Sequence, residues 1–167
     1  MIKRLADRSL STRYGIFTEI LYYDGRKESI AIVMGDVEDQ DNVLCRVHSH
    51  CIGAHVFNSV ECTCREEMQS AQEMIQAEGR GVIIWLDQEG KGNGHLALIK
   101  SIPFKKEHGQ AKAYEMAGYK ADARSYTPAA QILAELGVRS IVLLANSPKK
   151  ADDLRTESVI VSKTKPL

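Results

Sequence analysis

The sequence predicts an α/β fold, a layered mixed β-sheet flanked by helices, with an N-terminal antiparallel hairpin. In the second half of the chain, short β-rich runs alternate with segments of helical periodicity, which is typical of parallel strands joined by helices. Near the start, two β-rich runs flank the turn pair Asp24-Gly25, which is typical of a hairpin. A length of 167 residues suits one domain, so we expect a single domain over residues 1–167.

The hairpin is followed by one further strand and one helix in the first half of the chain. The hairpin strands are predicted over Ile16–Tyr23 and Glu28–Met34. The next strand covers Val43–His50, where side chains alternate between two faces. Apolar residues at helical spacing predict a helix over Arg65–Glu78, and Gly79 ends it.

A second group of elements begins with the buried strand VIIWL, which leads into the glycine-rich loop DQEGKGNG. We then expect a helix over His95–Ile102 that Pro103 stops, and a second helical segment over Gln110–Met116.

The last elements are marked by capping residues. Thr127 as N-cap, Pro128 in the first turn and Gly137 beyond the end predict one helix. A buried strand, VRSIVLLA, follows it. The pair Ser147-Pro148 then predicts a short helix, and SVIVS a last strand.

The composition excludes several classes of protein. The 22 Lys and Arg residues balance 22 Asp and Glu residues, which argues against nonspecific binding to nucleic acid. No apolar run approaches the roughly 20 residues of a membrane span. The first residues, MIKRLADRSLS, lack the apolar stretch of a signal peptide. We therefore expect a cytoplasmic protein with no nucleic-acid or membrane partner.

All four cysteines lie between residues 45 and 64, together with three of the five histidines. In a reducing compartment, such clustering indicates metal binding or catalysis rather than disulfides. Cys51, Cys62 and Cys64 have the spacing C-x10-C-x-C, and three thiolates suit a zinc ion whose fourth position is left to water. Strand alternation places Cys45 on the face opposite Arg46, away from this group.

Two other readings of the cysteines remain open. The thiols could be buried and free, or a closed structural site could be completed by a histidine. The candidates for that fourth ligand are His48, His50 and His55. A zinc nucleobase deaminase is excluded, because the chain has no H-x-E element upstream of a P-C-x-x-C element.

Two loops are candidate anion sites. DQEGKGNG lies between a buried strand and a helix, where α/β sheets bind ligands, although it matches neither the P-loop nor the G-x-G-x-x-G pattern. NSPKK places Lys149 and Lys150 at a positive helix end, which is favourable when an anion binds there. Plain turns and solvated lysines are the alternatives. In ADARS, Asp122 and Arg124 can form an ion pair.

Taken in order, RVHSHC, CTC, QEGKGNG, ADARSYT and NSPKK resemble GTP cyclohydrolase II, the family that opens the guanine imidazole ring at the start of riboflavin synthesis. The resemblance covers about residues 46–150. It implies one Zn²⁺ on Cys51, Cys62 and Cys64, whose hydroxide attacks C8 of GTP and leads to formate release. It also implies Mg²⁺ for the phosphates, release of pyrophosphate, and a homodimer.

The resemblance also assigns roles to other residues. Asp122 falls at the proton acceptor, and Arg124 at the arginine assigned to attack the α-phosphate. A guanidinium stays protonated, so stabilising phosphoryl charge is an equal alternative for Arg124. The positions that would bind GTP are Arg46, Val47, His48, Ser49, His50, Glu67, Glu89, Gly90, Lys91, Gln110 and Lys150.

Five positions depart from the family pattern. Ile102 stands where the family has a catalytic tyrosine. The other four are His50 for glutamate, Glu67 for glutamine, Lys91 for arginine and Ala145 for threonine. Two hypotheses follow: the enzyme takes GTP but leaves the formyl group attached, or it opens the ring of another purine or pyrimidine nucleotide. A third reading is a noncatalytic, zinc-stabilised nucleotide-binding protein.

Overall fold

The computed structural model describes all residues, Met1–Leu167, and contains one seven-stranded sheet with helices on both faces. The strands are β1 Lys3–Thr12, β2 Gly15–Tyr23, β3 Glu28–Met34, β4 Val43–Ser49, β5 Gly81–Leu86, β6 Ile141–Leu144 and β7 Val161–Lys165. The helices are α1 Ile52–His55, α2 Cys64–Glu78, α3 His95–Met116, α4 Thr127–Glu135 and α5 Pro148–Thr156. The predicted mixed α/β fold is confirmed.

The order of the strands determines where loops meet. The order is β1-β2-β3-β5-β4-β6-β7, with β1, β2, β3 and β5 pairing antiparallel and β5, β4, β6 and β7 running parallel. From β4 the chain crosses to β5 on one side and later returns to β6 on the other. The carboxyl ends of β4, β5 and β6 therefore lie side by side at a point where the strand order reverses, which is where open α/β sheets bind ligands.

Alternation along β4 separates the core from the site. Val43, Cys45 and Val47 are fully buried in the larger hydrophobic cluster, which α4 and α5 cover. Arg46 and His48 point to the opposite face, toward α2. The strand has no bulge in its pairing with either neighbour, so the predicted placement of Cys45 away from the other cysteines is confirmed.

The predicted hairpin corresponds to β2 and β3, which pair from Tyr23–Glu28 to Thr18–Val33. An additional strand, β1, precedes it and pairs with β2. Sequence periodicity missed β1 because its side chains are almost all exposed, so it has no apolar face to alternate.

The prediction that Pro103 stops a helix is wrong. The α3 helix continues past Pro103, and its break lies at Gly109, which has φ 76° and ψ 168°. A proline removes one backbone donor, and the side chains around it are largely exposed, so water can satisfy the freed carbonyl. A left-handed residue, in contrast, cannot continue the helix.

The smaller differences concern element ends and one short helix. The N-cap of α4 is Tyr126 rather than Thr127, a shift of one residue. The last strand begins at Val161 rather than Ser158, because Ser158 has φ 68° and belongs to the turn after α5. The short helix α1 was not predicted.

Candidate active site

The cysteine group lies at the carboxyl end of β4. The Sγ atoms of Cys51, Cys62 and Cys64 all lie within 4.8 Å of one another, and those of Cys51 and Cys62 are 3.6 Å apart. Ligands 2.3 Å from a tetrahedral zinc ion are about 3.8 Å apart, so the three thiols fit such an ion. The group includes no fourth His, Cys, Asp or Glu. The closed structural site completed by a histidine is therefore not supported.

Local structure brings the three thiols together. Cys51 is the N-cap of α1 and Cys64 is the first residue of α2. The guanidinium of Arg65 donates hydrogen bonds to the carbonyl oxygens of Ala54 (2.7 and 2.9 Å) and His55 (2.9 Å). This contact fastens α1 to the first turn of α2, so the two helix starts are held next to each other.

Cys51 and Cys64 need a bound cation in order to ionise at neutral pH. Burial raises the pKa of the Cys51 thiol, and burial together with the neighbouring thiols raises that of Cys64. Without a positive partner these groups stay protonated, and a bound dication would displace their protons. Burial raises the pKa of the core thiol of Cys45 to about 12, which makes it unreactive.

A cavity of about 370 Å³ opens beside Cys64, between β4, the N-terminus of α2 and the loops that follow β5 and β6. Its volume lies in the usual range for small-molecule sites, about 300–1,000 Å³. Five of its lining residues are cationic and one, Glu67, is acidic. The cations are Arg46, Lys91, Arg124, Lys149 and Lys150. The cavity therefore suits an anionic ligand.

Unpaired polar atoms are concentrated in this cavity. Five buried side-chain nitrogen or oxygen atoms of the protein have no hydrogen-bond partner, and four belong to residues that line the cavity. These four are Arg46 Nε, His48 Nδ1, Ser49 Oγ and Tyr126 Oη. Buried polar groups are normally paired, so the walls are built for a ligand that supplies donors and acceptors.

A buried arginine and a half-buried lysine form one side of the cavity. Arg46 donates to the Leu144 carbonyl (3.0 Å) and to Glu67 Oε2 (3.1 Å). Lys150 Nζ donates to the Val47 carbonyl at 2.8 Å. Burial and the nearby charges of Arg46 and Arg124 lower the pKa of Lys150 to about 7. An anion that neutralises these charges would restore the protonated ammonium.

Asp122 and Arg124 form a close ion pair in the segment between α3 and α4. Arg124 Nη2 lies 2.6 Å from Asp122 Oδ2, and the two side chains are only 20% and 24% exposed. Burial alone would raise the pKa of Asp122, but the hydrogen bonds from Arg124 outweigh burial and hold it below its usual range. Arg124 lines the cavity, whereas Asp122 does not and lies next to it through this ion pair. The pair is half-buried, in contrast to the surface pair expected of a noncatalytic protein.

A histidine pair that includes the lining residue His48 lies at the cavity, and a cluster of two histidines and a carboxylate lies near it. His48 Nε2 and His55 Nε2 are 2.9 Å apart, and burial, with the charge of Arg46, lowers the pKa of His48 to about 3. His48 is therefore neutral at neutral pH. The buried carboxylate of Glu89 lies 3.2 Å from both His50 Nε2 and His95 Nδ1.

The structure brings most of the predicted substrate residues together. Six of them line the cavity beside Cys64 and Arg124: Arg46, His48, Ser49, Glu67, Lys91 and Lys150. His50 and Glu89 form the adjacent cluster, with Gly90 in the same loop. The Val47 side chain packs in the core, so only its carbonyl faces the site. Gln110 is exposed on α3 and does not line the cavity.

The positions that the resemblance assigns to GTP do not include four residues that line the cavity: Tyr126, Asn146, Ser147 and Lys149. Of these, only Lys149 is predicted from the sequence to belong to a candidate anion site. The last three belong to the NSPKK motif, whose lysines were the available signal. Tyr126 lies in the motif ADARSYT, but the motif does not indicate that its side chain reaches the cavity, because that depends on how α4 packs. Ala145 also lines the cavity, whereas Ile102 is 49% exposed and does not.

A family model described as GTP cyclohydrolase II matches residues 3–166, almost the whole chain. The chain belongs to the GTP cyclohydrolase II family. The resemblance predicted from five motifs is confirmed, as is the prediction of an enzyme of this hydrolase family. A GTP cyclohydrolase-2 from Actinobacillus succinogenes is 35% identical over 169 residues, which are 99% of this chain and 78% of the relative.

Longer relatives also match over the whole of this chain. The riboflavin biosynthesis protein RibBA of Bacillus subtilis is 39% identical to this GTP cyclohydrolase II family member over 172 residues, all of this chain but 43% of RibBA. The chain thus spans less than half the length of that relative. A crystal structure of RibBX from A. baumannii, a two-domain 3,4-dihydroxy-2-butanone 4-phosphate synthase, superposes with TM-score 0.52 at 20% identity, over 87% of this chain and 34% of RibBX. That likeness concerns the fold alone.

None of the helices has the length and apolar character that crossing a bilayer requires.

Proposed function

We propose that this protein is a zinc-dependent cyclohydrolase that opens the imidazole ring of GTP. The observation that carries the proposal is the three-thiol group, without a fourth protein ligand, beside a cation-lined cavity with unpaired polar atoms. A structural zinc ion normally has four protein ligands, whereas a catalytic one keeps a position open. Zinc held by Cys51, Cys62 and Cys64 would act as a Lewis acid that lowers the pKa of a bound water molecule to near neutrality.

The protein groups around the thiols suit the remaining steps. The cationic walls would hold the triphosphate, with Mg²⁺ accompanying the phosphates. Asp122 is ionised at neutral pH, and we assign its carboxylate as the proton acceptor. The hydrogen bonds from Arg124 lower its pKa and so weaken it as a base while they are in place. The same hydrogen bond raises the pKa of Arg124, which keeps the guanidinium charged. We therefore assign Arg124 to stabilising charge on the α-phosphate rather than to nucleophilic attack.

A finer proposal concerns deformylation. Ile102 cannot donate a proton or orient water where the family has tyrosine, and its side chain lies outside the cavity. We infer that ring opening proceeds while release of the formyl group is slowed. Mass analysis of the product formed from GTP should show a species that retains the formyl group, with less than one formate released per pyrophosphate. Stoichiometric formate release would contradict this inference.

A second candidate, ring opening of another nucleotide, is favoured by the cluster around Glu89. His50 and His95 both contact this carboxylate, so they compete with a guanine edge for its oxygens. A panel of purine and pyrimidine nucleotides, assayed with zinc content measured in parallel, separates the candidates. GTP as the best substrate supports the first, another nucleotide supports the second, and zinc-loaded protein that turns over none of them contradicts both.

The homodimer stays a prediction based on the family, and the cytoplasmic location stays a prediction based on the sequence. Sedimentation velocity of the zinc-loaded chain checks the first, and a mass of one chain would contradict it.

A further inference from the structure

We infer that Tyr126 is a substrate-binding residue whose hydroxyl donates a hydrogen bond to a phosphate oxygen of the nucleotide. This inference rests on the proposed function only in taking the ligand to be a nucleotide with a phosphate chain. The role was assigned neither by the family motifs nor by the sequence pattern.

The position of Tyr126 sets it apart from the other five tyrosines. It is the only tyrosine among the residues that line the cavity. Tyr114 is buried outside the lining, and Tyr119 is half-buried on the turn after α3. The Tyr126 side chain is 5% exposed, its ring packs in the main hydrophobic cluster, and its hydroxyl has no partner in the protein. A buried, unpaired hydroxyl on a cavity wall calls for a partner on the ligand.

The surrounding charges indicate what that partner is. The guanidinium carbon of Arg124 lies 5.9 Å from the centroid of the Tyr126 ring, and Lys149 lines the same cavity. The carboxylates of Asp122 and Asp153 also lie near the phenol, but each is already hydrogen-bonded, to Arg124 and Lys149 respectively. These two cations and two carboxylates balance one another, so the positive excess of the cavity comes from its other charged lining residues, Arg46, Lys91 and Lys150 against Glu67. The group that suits a cavity of this charge is an anionic oxygen.

The phenol is suited to donate rather than accept. Burial raises its pKa, so the hydroxyl keeps its proton at neutral pH. A neutral O–H that donates to an anionic oxygen forms a charge-assisted hydrogen bond, the strong class of such bonds. The hydroxyl of a fixed phenol ring donates in a defined direction, which the flexible ammonium of a lysine does not.

The test replaces Tyr126 by phenylalanine, which removes only the hydroxyl and keeps the ring in the core. In the zinc-loaded full chain, Tyr126→Phe should weaken binding of inorganic triphosphate, measured by calorimetry, by about tenfold or more. It should raise the KM for GTP by a similar factor and leave kcat within about threefold. The midpoint of thermal unfolding without ligand should stay equal or rise, since an unpaired buried hydroxyl has been removed.

The control is Tyr119→Phe, which lies outside the cavity and should match the wild type in every measurement. Triphosphate affinity of Tyr126→Phe within about twofold of wild type overturns the inference. So does a fall in kcat at unchanged triphosphate affinity, which would place the hydroxyl at the ring instead. A lower unfolding temperature that accompanies weaker binding would indicate a structural role and also overturns it.

Failure of the proposed function can be distinguished from failure of this inference. If the protein does not turn over GTP, triphosphate affinity still decides the role of Tyr126, because that measurement needs neither the base nor catalysis. A wild-type protein that does not bind triphosphate overturns the inference.

Discussion

Single residues decide the chemistry of the site through their burial and their partners. Cys51, Cys62 and Cys64 lie together beyond the carboxyl end of β4, whereas Cys45 lies within that strand and is sealed in the hydrophobic core. The chain thus offers a core thiol for comparison with the three thiols of the site.

Replacing Cys62 by Ser should remove metal and turnover together. A hydroxyl is a poor zinc ligand, and two remaining thiols do not hold the ion tightly. We expect metal content near zero and activity reduced by at least about 100-fold, measured by elemental analysis and a GTP assay. The control, Cys45→Ala, should keep full metal content although the cavity it leaves lowers stability by about 1 kcal/mol. Turnover by metal-free Cys62→Ser protein would contradict the assigned role.

Lys150 should make stability depend on pH. Its pKa is about 7 in the folded state and 10.5 as an unperturbed side chain, so between these values the unfolded state binds more protons. Stability conferred by this residue therefore rises with pH in that window, and below pH 7 the buried charge is unfavourable. The unfolding free energy of wild type minus that of Lys150→Gln, measured in urea without nucleotide, should increase from about pH 6.5 to about pH 8.5.

The exposed neighbour provides the control for Lys150. Lys149 pairs with Asp153, which raises its pKa, so Lys149→Gln should show no such increase over the same range. If the difference in unfolding free energy between wild type and Lys150→Gln does not change with pH, the Lys150 ammonium of the wild type stays charged in the folded protein.

At the scale of elements, the site depends on how the loop after β5 fits against the segment before α4. The Ala123 amide donates to the Lys91 carbonyl at 2.8 Å, which joins the two. Gly92 has φ 82°, and a Cβ there would lie 2.6 Å from the backbone of Ala123. This close approach positions Asp122 and Arg124 at the cavity.

Gly92→Ala should therefore impair catalysis beyond its effect on stability. The added methyl group would push the loop away from Ala123 and displace the neighbouring ion pair, and we expect kcat/KM to fall by about 100-fold, since misplacements of about 1 Å have that effect. Gly94→Ala is the matched control, because Gly94 also has a positive φ (99°) but open space around its Cβ position. Equal losses of kcat/KM in the two variants, measured with GTP, would show that backbone strain alone is responsible.

The break in α3 gives a second prediction at this scale. Gly109→Ala should lower the free energy of unfolding by about 1–2 kcal/mol, because alanine disfavours the left-handed conformation found there. Pro103→Ala should leave stability equal or raise it, since it restores a backbone donor within the helix. Urea denaturation measures the free energy of unfolding of both variants. A larger decrease for Pro103→Ala than for Gly109→Ala would place the break in α3 at Pro103, where the sequence alone predicted it.

At the scale of the whole molecule, charge is balanced overall but not locally. The chain has no net charge, yet five cations and one carboxylate line the cavity. The attraction for a nucleotide therefore arises from a local field, which salt screens.

Nucleotide binding should accordingly weaken with ionic strength. We expect the dissociation constant for GTP to rise about tenfold or more between about 50 mM and about 500 mM salt. Lys149→Gln should reduce this slope, whereas Lys163→Gln, on the exposed edge strand β7, should leave it unchanged. Calorimetric titration at several salt concentrations measures the slope, and an equal effect of the two variants would contradict a local field.

The sequence by itself determined the family, the three thiols, the faces of β4 and most elements, because these depend on spacing along the chain. Only the tertiary structure decided that the loops after β4, β5 and β6 enclose one cavity, that no fourth side chain completes the thiol group, that Gln110 lies outside the cavity and that Tyr126 lies inside it. These facts depend on strand order and on helix packing between residues that are distant in the chain. The spacing of neighbouring residues, on which the sequence predictions are based, contains no information about such contacts.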